Sequence, residues 1–473
     1  MTNKDVIIAR LLRKNEQQAS QIQLLTEQNL QLHAKNQKLR ERIVRLEKNS
    51  SNSSKPPSSD IINPNPADKK KKKRKRGGQL GHKKHSREPF PPEQIDKTII
   101  HELSAEEVAR RKLMPLHKTE SALQQVGLLD KLYNVIDHRV RLYQKPNGDI
   151  IKATLPKEIR KEGLFTCPMT AFVGFLKARC HMSYSTIAEL FSDVIELSIS
   201  QSYLVKCCNK KLSPALISVY SEALEYTRTA PIVGTDETGH KDSGNKNWTW
   251  CQHADGVVFF RICNSRGSKI LFENLGEDFN AILLADFFSA NRMFIRLTGA
   301  KVQWCWAHLV RDIKFIAQHG GRNVQQWANR LLGIIKRMLK TWRKSKNTKY
   351  FRKKLEDLKK LFLVSIMRPP DHPECWMIKK RFVGSGREGY FLFLEVDGVE
   401  PTNNSTEQKI RFIVLDRRVT QGTNSDAGMR FYERIWTVVA SCICQGKNIF
   451  KFLSQSLKAH YSNTQPSSIL PVS

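Results

Sequence analysis

Cysteine is absent from residues 1–166, and none of the ten cysteines that follow forms a C-x-x-C pair. The sequence therefore indicates neither a disulfide scaffold nor a zinc ribbon. No apolar run approaches the ~18 residues that a membrane-spanning helix needs, and the polar N-terminus lacks the apolar core of a signal peptide. These absences predict a cytoplasmic protein that does not enter a membrane.

Acidic residues are also few: 45 Asp and Glu stand against 79 Lys and Arg, which gives a formal net charge of +34. Such an excess favours a polyanionic partner, because clustered Lys and Arg release the counterions condensed on phosphates. At 473 residues the chain is long enough for about two to four domains. We therefore expect a multidomain, nucleoid-associated protein that binds nucleic acid.

Residues 1–48 contain neither Gly nor Pro and follow a heptad pattern. The a positions are Ile8, Asn15, Ile22, Asn29, Asn36 and Ile43, and the d positions are Leu11, Gln18, Leu25, Leu32, Leu39 and Leu46. Ile at a with Leu at d favours a parallel two-stranded coil, whereas Asn at a fixes the register and costs stability. This pattern predicts a leucine-zipper-like coiled coil that makes the protein a dimer or a higher oligomer. The alternative is a single amphipathic helix packed on its own chain.

Residues 49–90 combine a linker with a basic arm. The first part is rich in Ser, Asn and Pro and cannot build a core. Eight consecutive cations follow: Lys69, Lys70, Lys71, Lys72, Lys73, Arg74, Lys75 and Arg76. Between an oligomerising helix and a basic body, such a run predicts a sequence-independent clamp for DNA phosphates. The alternative is a solvated tail.

Two smaller regions precede the core. Residues 91–160 are predicted to be a small strand-containing domain, with a hairpin that joins Val140–Tyr143 to Ile150–Ala153. Residues 161–229 are predicted to be helical and to include a helix–turn–helix whose helices open with the capping serines Ser185 and Ser202. A plain helical bundle has the same pattern and is the alternative.

Strand patterns begin at residue 231. An apolar run leads to Asp236, a second run leads to Asp286, and an Asp-Gly turn at residues 255–256 predicts a hairpin between them. The order of three strands, a helix, a strand, a helix and a strand is that of an RNase H-like α/β core with a mixed five-stranded sheet. We assign residues 230–308 and 401–455 to this core, 309–400 to a helical insertion and 456–473 to a tail.

Two strand-end aspartates and a helical glutamate supply what a two-metal phosphoryl-transfer site needs. Asp236, Asp286 and Glu407 would hold two Mg²⁺ or Mn²⁺ ions, since oxygen ligands suit these cations. His308 and Arg311 share a helix face at i and i+3, where they could position water and bind the phosphate. The alternatives are a capping carboxylate at Glu407, a core histidine at His308 and a surface ion pair at Arg311.

Six motifs of the sequence carry a family resemblance. They are NSSKPPSSD (Asn52–Asp60), GGQLGHKKHSRE (Gly77–Glu88), DETG (Asp236–Gly239), CWAHLVRD (Cys305–Asp312), TNNSTEQKIR (Thr402–Arg411) and SDAGMR (Ser425–Arg430). Together they resemble the insertion-sequence-66 family of DDE transposases over nearly the whole chain.

The resemblance implies a fold, an activity and partners. It implies an RNase H-like domain in which Asp236, Asp286 and Glu407 bind two divalent ions, and a transposase that cleaves element ends and joins them to target DNA. It also implies two small accessory proteins encoded by the same element. The family usually has a cysteine-rich zinc-finger-like region, whereas residues 88–160 of this chain contain no cysteine. Two alternatives stay open: an RNase H-like nuclease without strand transfer, and a non-enzymatic dimeric DNA-binding regulator.

Overall fold

The computed structural model describes residues 14–32, 35–36, 39, 90–100, 103–111, 114, 124–126, 129, 131–144, 146–147, 150–344 and 349–471. Residues 14–32 form one helix (α1), on which Ile22, Leu25 and Leu32 are 57–65% exposed. Its pairing with a second copy stays a prediction. The linker and the basic arm Lys69–Arg76 lie outside the described residues.

The segment before the helical region contains the short elements Ala105–Arg110 (α2), Leu142–Gln144 (β1), Ile150–Lys152 (β2) and Lys157–Glu162 (α3). β1 and β2 pair antiparallel, with Tyr143 opposite Ile151. The predicted hairpin is therefore confirmed.

Helices then follow to residue 229, as predicted. They are Cys167–Ala178 (α4), Tyr184–Asp193 (α5), Gln201–Lys206 (α6), Ser213–Ala215 (α7) and Ile217–Thr229 (α8), with a π-helical turn Cys207–Leu212 between α6 and α7.

The serines predicted to cap α5 and α6 were the wrong ones. Ser183 Oγ accepts a hydrogen bond from the Thr186 N–H at 3.0 Å, and Ser200 Oγ accepts one from the Tyr203 N–H at 3.3 Å. Ser185 and Ser202 already lie inside the helices, because each cap is the serine two positions earlier. The existence of the two helices is confirmed, and their binding to DNA stays a prediction.

A mixed five-stranded sheet forms the centre of the molecule. Its strands are Ile232–Asp242 (β3), Asn245–Ala254 (β4), Val257–Cys263 (β5), Ile282–Ala285 (β6) and Lys301–Trp304 (β7), in the spatial order β5-β4-β3-β6-β7. β3, β4 and β5 are antiparallel neighbours, whereas β3, β6 and β7 run parallel. Lys269–Leu275 (α9) and Ser289–Thr298 (α10) connect β5 to β6 and β6 to β7. The predicted order of strands and helices is confirmed.

The expectation that Asp236 ends its strand was wrong. β3 has 11 residues and continues through the polar segment 238–242, which pairs with β4 along its whole length. Buried polar side chains make this possible because they find partners: His240 is 3% exposed, and its Nε2 lies 3.2 Å from Thr423 Oγ1. Asp236 therefore lies in the middle of a long strand.

Three helices close the fold: Asn404–Thr420 (α15), Asp426–Cys444 (α16) and Ile449–Ser462 (α17). α16 runs along the edge strand β5 and accepts hydrogen bonds from its outward N–H groups. The pairs are Ile262 N to Glu433 Oε1 at 2.6 Å, Phe260 N to Thr437 Oγ1 at 3.1 Å and Val258 N to Ser441 Oγ at 2.9 Å. The spacing fits, because four helical residues rise ~6 Å and two strand residues ~6.6 Å.

Residues 309–400 are mostly helical, as predicted. The helices are Trp306–His319 (α11), Arg322–Lys344 (α12), Lys349–Ile366 (α13) and Pro373–Lys380 (α14). They pack around Trp306, which is fully buried and contacts the rings of Phe362, Phe382, Tyr390, Phe391 and Phe393 at centroid distances of 5.3–6.5 Å. Within the described ranges, no helix is both long and apolar enough to cross a membrane.

Candidate active site

Asp236 and Asp286 lie on neighbouring parallel strands and on the same face of the sheet. Gly234 of β3 is opposite Leu284 of β6, so two residues later both strands present an aspartate at the same level. Asp286 directly follows β6, as predicted. Both side chains are partly exposed. The topology therefore brings together two acids that are 50 positions apart.

The Asp286 carboxylate is held by its own loop. Its Oδ1 accepts hydrogen bonds from the Phe288 N–H at 3.2 Å and from Asn291 Nδ2 at 2.8 Å. Asn291 is 1% exposed and lies in the first turn of α10. This pair of donors fixes one carboxylate oxygen and orients the other.

Glu407 reaches the same face from the first turn of α15. The helix lies close to β3 at Gly234, where an added Cβ would overlap the hydroxyl of Thr406. Asn403 occupies the N-cap position, but its side chain does not cap the helix. Its Nδ2 instead donates a hydrogen bond to the backbone oxygen of Thr235 at 2.7 Å. The amide thus fastens the start of α15 to the strand that carries Asp236.

Residues 401–403, which precede α15, are hydrogen-bonded to the residues that follow β7, and these in turn are bonded to the end of β6. The Cys305 N–H donates to the Ala285 oxygen at 2.8 Å, and the Asn403 N–H donates to Cys305 Sγ at 3.2 Å. The Trp306 N–H donates to the Pro401 oxygen at 3.0 Å. These hydrogen bonds hold the start of α15 against β3 and against the residues after β7. They therefore position Glu407 at the sheet, although a long helical segment separates it from β7 in the chain.

His308 and Arg311 of α11 contact Glu407. Arg311 Nη2 lies 3.1 Å from Glu407 Oε1 and 3.2 Å from His308 Nε2, and His308 Nδ1 lies 3.5 Å from Glu407 Oε1. Because a guanidinium can only donate, His308 Nε2 accepts and the ring proton lies on Nδ1, facing Glu407. Burial lowers the pKa of His308 despite the opposing effect of Asp286, which favours this neutral form.

The carboxylates repel one another. The pKa of Asp236 is raised well above its usual range, first by burial and then by the charges of Glu237, Asp286 and Glu407. A concentration of like charge at one end of the β3–β6 pair is costly unless a cation offsets it. The electrostatics of the site therefore favour a bound cation.

Glu237 is a fourth acid that the sequence reasoning did not single out. It is 3% exposed and lies on the opposite face from Asp236, where its Oε1 pairs with Arg266 at 2.6 Å. Burial raises its pKa to about 7, and Asp286 adds to the shift. Glu237 directly follows Asp236, and successive residues of a strand face opposite sides of the sheet. This alternation could have predicted that Glu237 lies on the other face.

The donor set fits Mg²⁺ or Mn²⁺. All three predicted ligands are carboxylates, which hard cations prefer. Among the described residues, hydrogen bonds to these carboxylates reach one oxygen of each: Asp236 Oδ1, Asp286 Oδ1 and Glu407 Oε1. The three do not converge on a single point, because no group that includes all three has its ligand atoms within 4.8 Å in the described part of the chain.

Cys305, His308 and Glu407 do bring a ligand atom each within 4.8 Å of one another. The guanidinium of Arg311 contacts His308 and Glu407, however, so a positive charge already occupies this position. We therefore assign no zinc to the group. Burial also raises the pKa of the Cys305 thiol to about 11, which disfavours the thiolate that zinc needs.

Five of the predicted site residues are thus brought together: Asp236, Asp286, Glu407, His308 and Arg311. The eight predicted DNA-binding residues Lys69–Arg76 lie outside the described residues. One residue of the SDAGMR motif has a structural role: Ser425 caps α16 by accepting a hydrogen bond from the Gly428 N–H at 3.2 Å.

Comparison with known families gives two matches. The family model described as "Transposase IS66 family" matches residues 162–431, which is more than half of the 473 residues. A model described as "Family of unknown function (DUF6444)" matches residues 8–88. No curated protein matches the chain.

Proposed function

The chain belongs to the IS66 family of transposases, and from this we propose that it cleaves DNA at the ends of its element and joins them to target DNA in a metal-dependent reaction. One observation supports the proposal above the others. Three carboxylates from distant parts of the chain lie together at the β3–β6 junction, where burial and then the charges of Glu237, Asp286 and Glu407 raise the pKa of Asp236. A fold that maintains such a cluster gains from binding cations there.

We further propose that residues 230–308 and 401–455 are an RNase H-like core and that 309–400 are an insertion in it. The strand order β5-β4-β3-β6-β7, with three antiparallel strands followed by two parallel ones, supports this assignment. The hydrogen bond between the Trp306 N–H and the Pro401 oxygen supports the insertion, because it joins the two ends of the helical segment.

In this proposal Asp236, Asp286 and Glu407 hold two Mg²⁺ or Mn²⁺ ions. When bound, such ions activate a water or 3′-hydroxyl nucleophile and stabilise the leaving oxygen of an in-line displacement. The protein's task is to position the carboxylates: Asn291 orients Asp286, and Asn403 fixes the helix that carries Glu407. Little covalent work is then left to side chains.

His308 and Arg311 are proposed to act beside these ligands. Arg311 holds Glu407 in the absence of substrate, at 3.1 Å. When DNA enters, the guanidinium is within reach to bind a phosphate with its remaining donors. Burial lowers the pKa of His308, and release of Arg311 from its Nε2 would free that nitrogen to accept a hydrogen bond from an attacking water.

DNA is the proposed partner at the element ends and at the target, with the basic arm Lys69–Arg76 as one clamp and a nucleoid location as the consequence. A second copy is proposed to pair through helix α1, whose apolar residues Ile22, Leu25 and Leu32 are more than half exposed. Accessory proteins from the same element remain a prediction of the family resemblance.

The test uses labelled duplexes that carry the terminal sequences of the encoding element, a target plasmid, and Mg²⁺, Mn²⁺ or EDTA. A second substrate has a pre-cleaved 3′-hydroxyl end, so that joining is measured apart from cleavage. Asp236→Asn and Asp286→Asn should abolish both reactions and keep DNA binding. Asp278→Asn is the matched control, because Asp278 is exposed and lies outside the acid cluster.

Metal binding gives a readout that does not depend on activity. Electron paramagnetic resonance should detect two bound Mn²⁺ ions per chain in the wild type. We expect fewer bound ions in Asp236→Asn. Cleavage that persists in both aspartate variants would contradict the site. Cleavage without joining of the pre-cleaved end would identify a nuclease, and DNA binding with no metal-dependent chemistry would identify a regulator.

A further inference from the structure

Helix α12 carries a surface of one sign that the active site does not use. Its 23 residues include no Asp or Glu. They include seven cations: Arg322, Arg330, Lys336, Arg337, Lys340, Arg343 and Lys344. All seven are exposed. A face that only keeps a protein soluble usually mixes the two signs, so this composition calls for another explanation.

The seven cations share one side of the helix. At 3.6 residues per turn they fall within an arc of about 140°. The opposite side is buried and consists of Val324, Trp327, Ala328, Leu331, Ile334, Ile335, Met338 and Thr341. The helix is therefore fixed in rotation by its apolar side, which holds the cationic side toward solvent.

Contacts within the described part of the chain do not explain these seven charges. Within the described ranges, none of the seven side chains forms an ion pair or a hydrogen bond with another residue. By contrast, Lys359 of the neighbouring helix pairs with Glu395 at 3.0 Å. Unpaired cations repel one another along a helix, so the arrangement costs stability in the free protein. A polyanion that lies along the helix would remove this repulsion.

The last turns of α12 contact the aromatic cluster around Trp306 through the core-facing side of the helix. Only Gly320 and Gly321 join α11 to α12, and the two helices pack against each other. The ring of Trp342 lies 5.7 Å from that of Phe393, which lies 6.3 Å from that of Trp306. Trp342 lies on the side of α12 opposite the cations, so this contact helps to fix the rotation of the helix and leaves the cationic side facing solvent.

We propose that this cationic side of α12 binds the phosphate backbone of duplex DNA. The inference rests on the proposed function for the identity of the polyanion. From Arg330 to Lys344 the helix rises about 21 Å at 1.5 Å per residue. Six cations over that length are enough to contact several phosphates, since each strand of a duplex carries one phosphate per ~3.4 Å of helix axis. The contact reads no bases, because it involves only charge.

The test compares two triple variants that each remove three positive charges. Arg337→Gln/Lys340→Gln/Lys344→Gln alters the cationic side of α12. The matched control is Lys157→Gln/Lys451→Gln/Lys458→Gln. It alters exposed lysines of α3 and α17, which are more than 100 positions from α12 in the sequence. Dissociation constants are measured in EDTA between 50 and 300 mM salt, on a duplex with element ends and on a random duplex of equal length.

We expect the α12 variant to weaken binding and to make the slope of log K against log salt less negative by about 2–3, since each lost phosphate contact contributes about 0.9. The control variant should change the slope by less than one such contact, and both variants should unfold at the wild-type temperature. An effect on both duplexes supports backbone binding, whereas an effect confined to one of them would contradict a contact that reads no bases.

An unchanged slope in the α12 variant, or an equal change in the control variant, would overturn the inference. Since binding in EDTA needs no catalysis, this outcome is separate from a failure of the proposed function. A protein that binds DNA through α12 but never cleaves it would support this inference and contradict the proposed activity.

Discussion

The buried carboxylate of Glu433 should make the stability of the protein fall as the pH rises. Glu433 is 1% exposed, accepts the hydrogen bond of the Ile262 N–H at 2.6 Å and pairs with Arg430 at 2.6 Å. Burial raises its pKa from 4.5 to about 7, although Arg430 and the N–H oppose the shift. The substitution Glu433→Gln keeps the acceptor for Ile262 and removes the charge.

The size of the effect follows from the pKa. A folded pKa above the unfolded one means that the contribution of this group is fully present below pH 4.5 and is lost as the pH rises through about 7. A shift from 4.5 to about 7 corresponds to about 3 kcal/mol. The free energy of unfolding of Glu433→Gln should therefore equal that of the wild type near pH 4.5 and exceed it by up to about 3 kcal/mol at pH 8.

Urea unfolding of both proteins at pH 4.5, 6, 7 and 8 measures this difference. His240 and His253, whose pKa values burial lowers to about 4, titrate alike in both proteins and cancel. Thr437→Val is the matched control, because it removes a neutral hydrogen bond of the same helix at 3.1 Å. It should cost about 1–2 kcal/mol at every pH. A Glu433→Gln difference that is independent of pH, or that grows more unfavourable toward pH 8, would refute the reasoning.

Three further predictions concern packing near the site. Gly234→Ala should abolish cleavage and lower the unfolding temperature, because its Cβ would overlap the Thr406 hydroxyl and push α15 away from β3; normal activity in this variant would contradict the close approach. Gly333→Ala should instead stabilise the protein by about 1 kcal/mol in urea unfolding, because a Cβ there meets open space within a helix. Trp306→Ala should cost about 3–5 kcal/mol, since its indole is fully buried; a loss below 1 kcal/mol would show that the aromatic cluster is not the core of residues 309–400.

Much of the sheet could be predicted, because its strands obey simple rules. The apolar run before Asp286 and the Asp-Gly turn at residues 255–256 gave β6 and the β4–β5 hairpin. The second half of β3 was missed because its buried residues are polar. Thr238 and His240 are 1% and 3% exposed, and their partners come from α15 and from the loop before α16. No local pattern reveals a partner about 180 positions away.

The candidate site divides in the same way. Asp286 and Glu407 could be named because a strand end and a helix start are recognisable in sequence, whereas Asp236 was named from the apolar run before it although β3 continues past it. The way in which Glu407 is positioned could not be predicted, because the amide of Asn403 bonds to the backbone of Thr235, which is 168 positions away in the chain. The cap of α5 was missed for a related reason: a run of serines offers several hydroxyls, and only the backbone decides that Ser183 is the one that caps.

The hydrogen bonds between α16 and β5 have a consequence for assembly. An edge strand normally presents a row of unpaired N–H and C=O groups that can recruit a strand from another molecule. In β5 the outward N–H groups of Val258, Phe260 and Ile262 are already taken by side chains of α16. This edge of the sheet is therefore closed to strand addition from another molecule, which leaves β7 as the sheet's other edge.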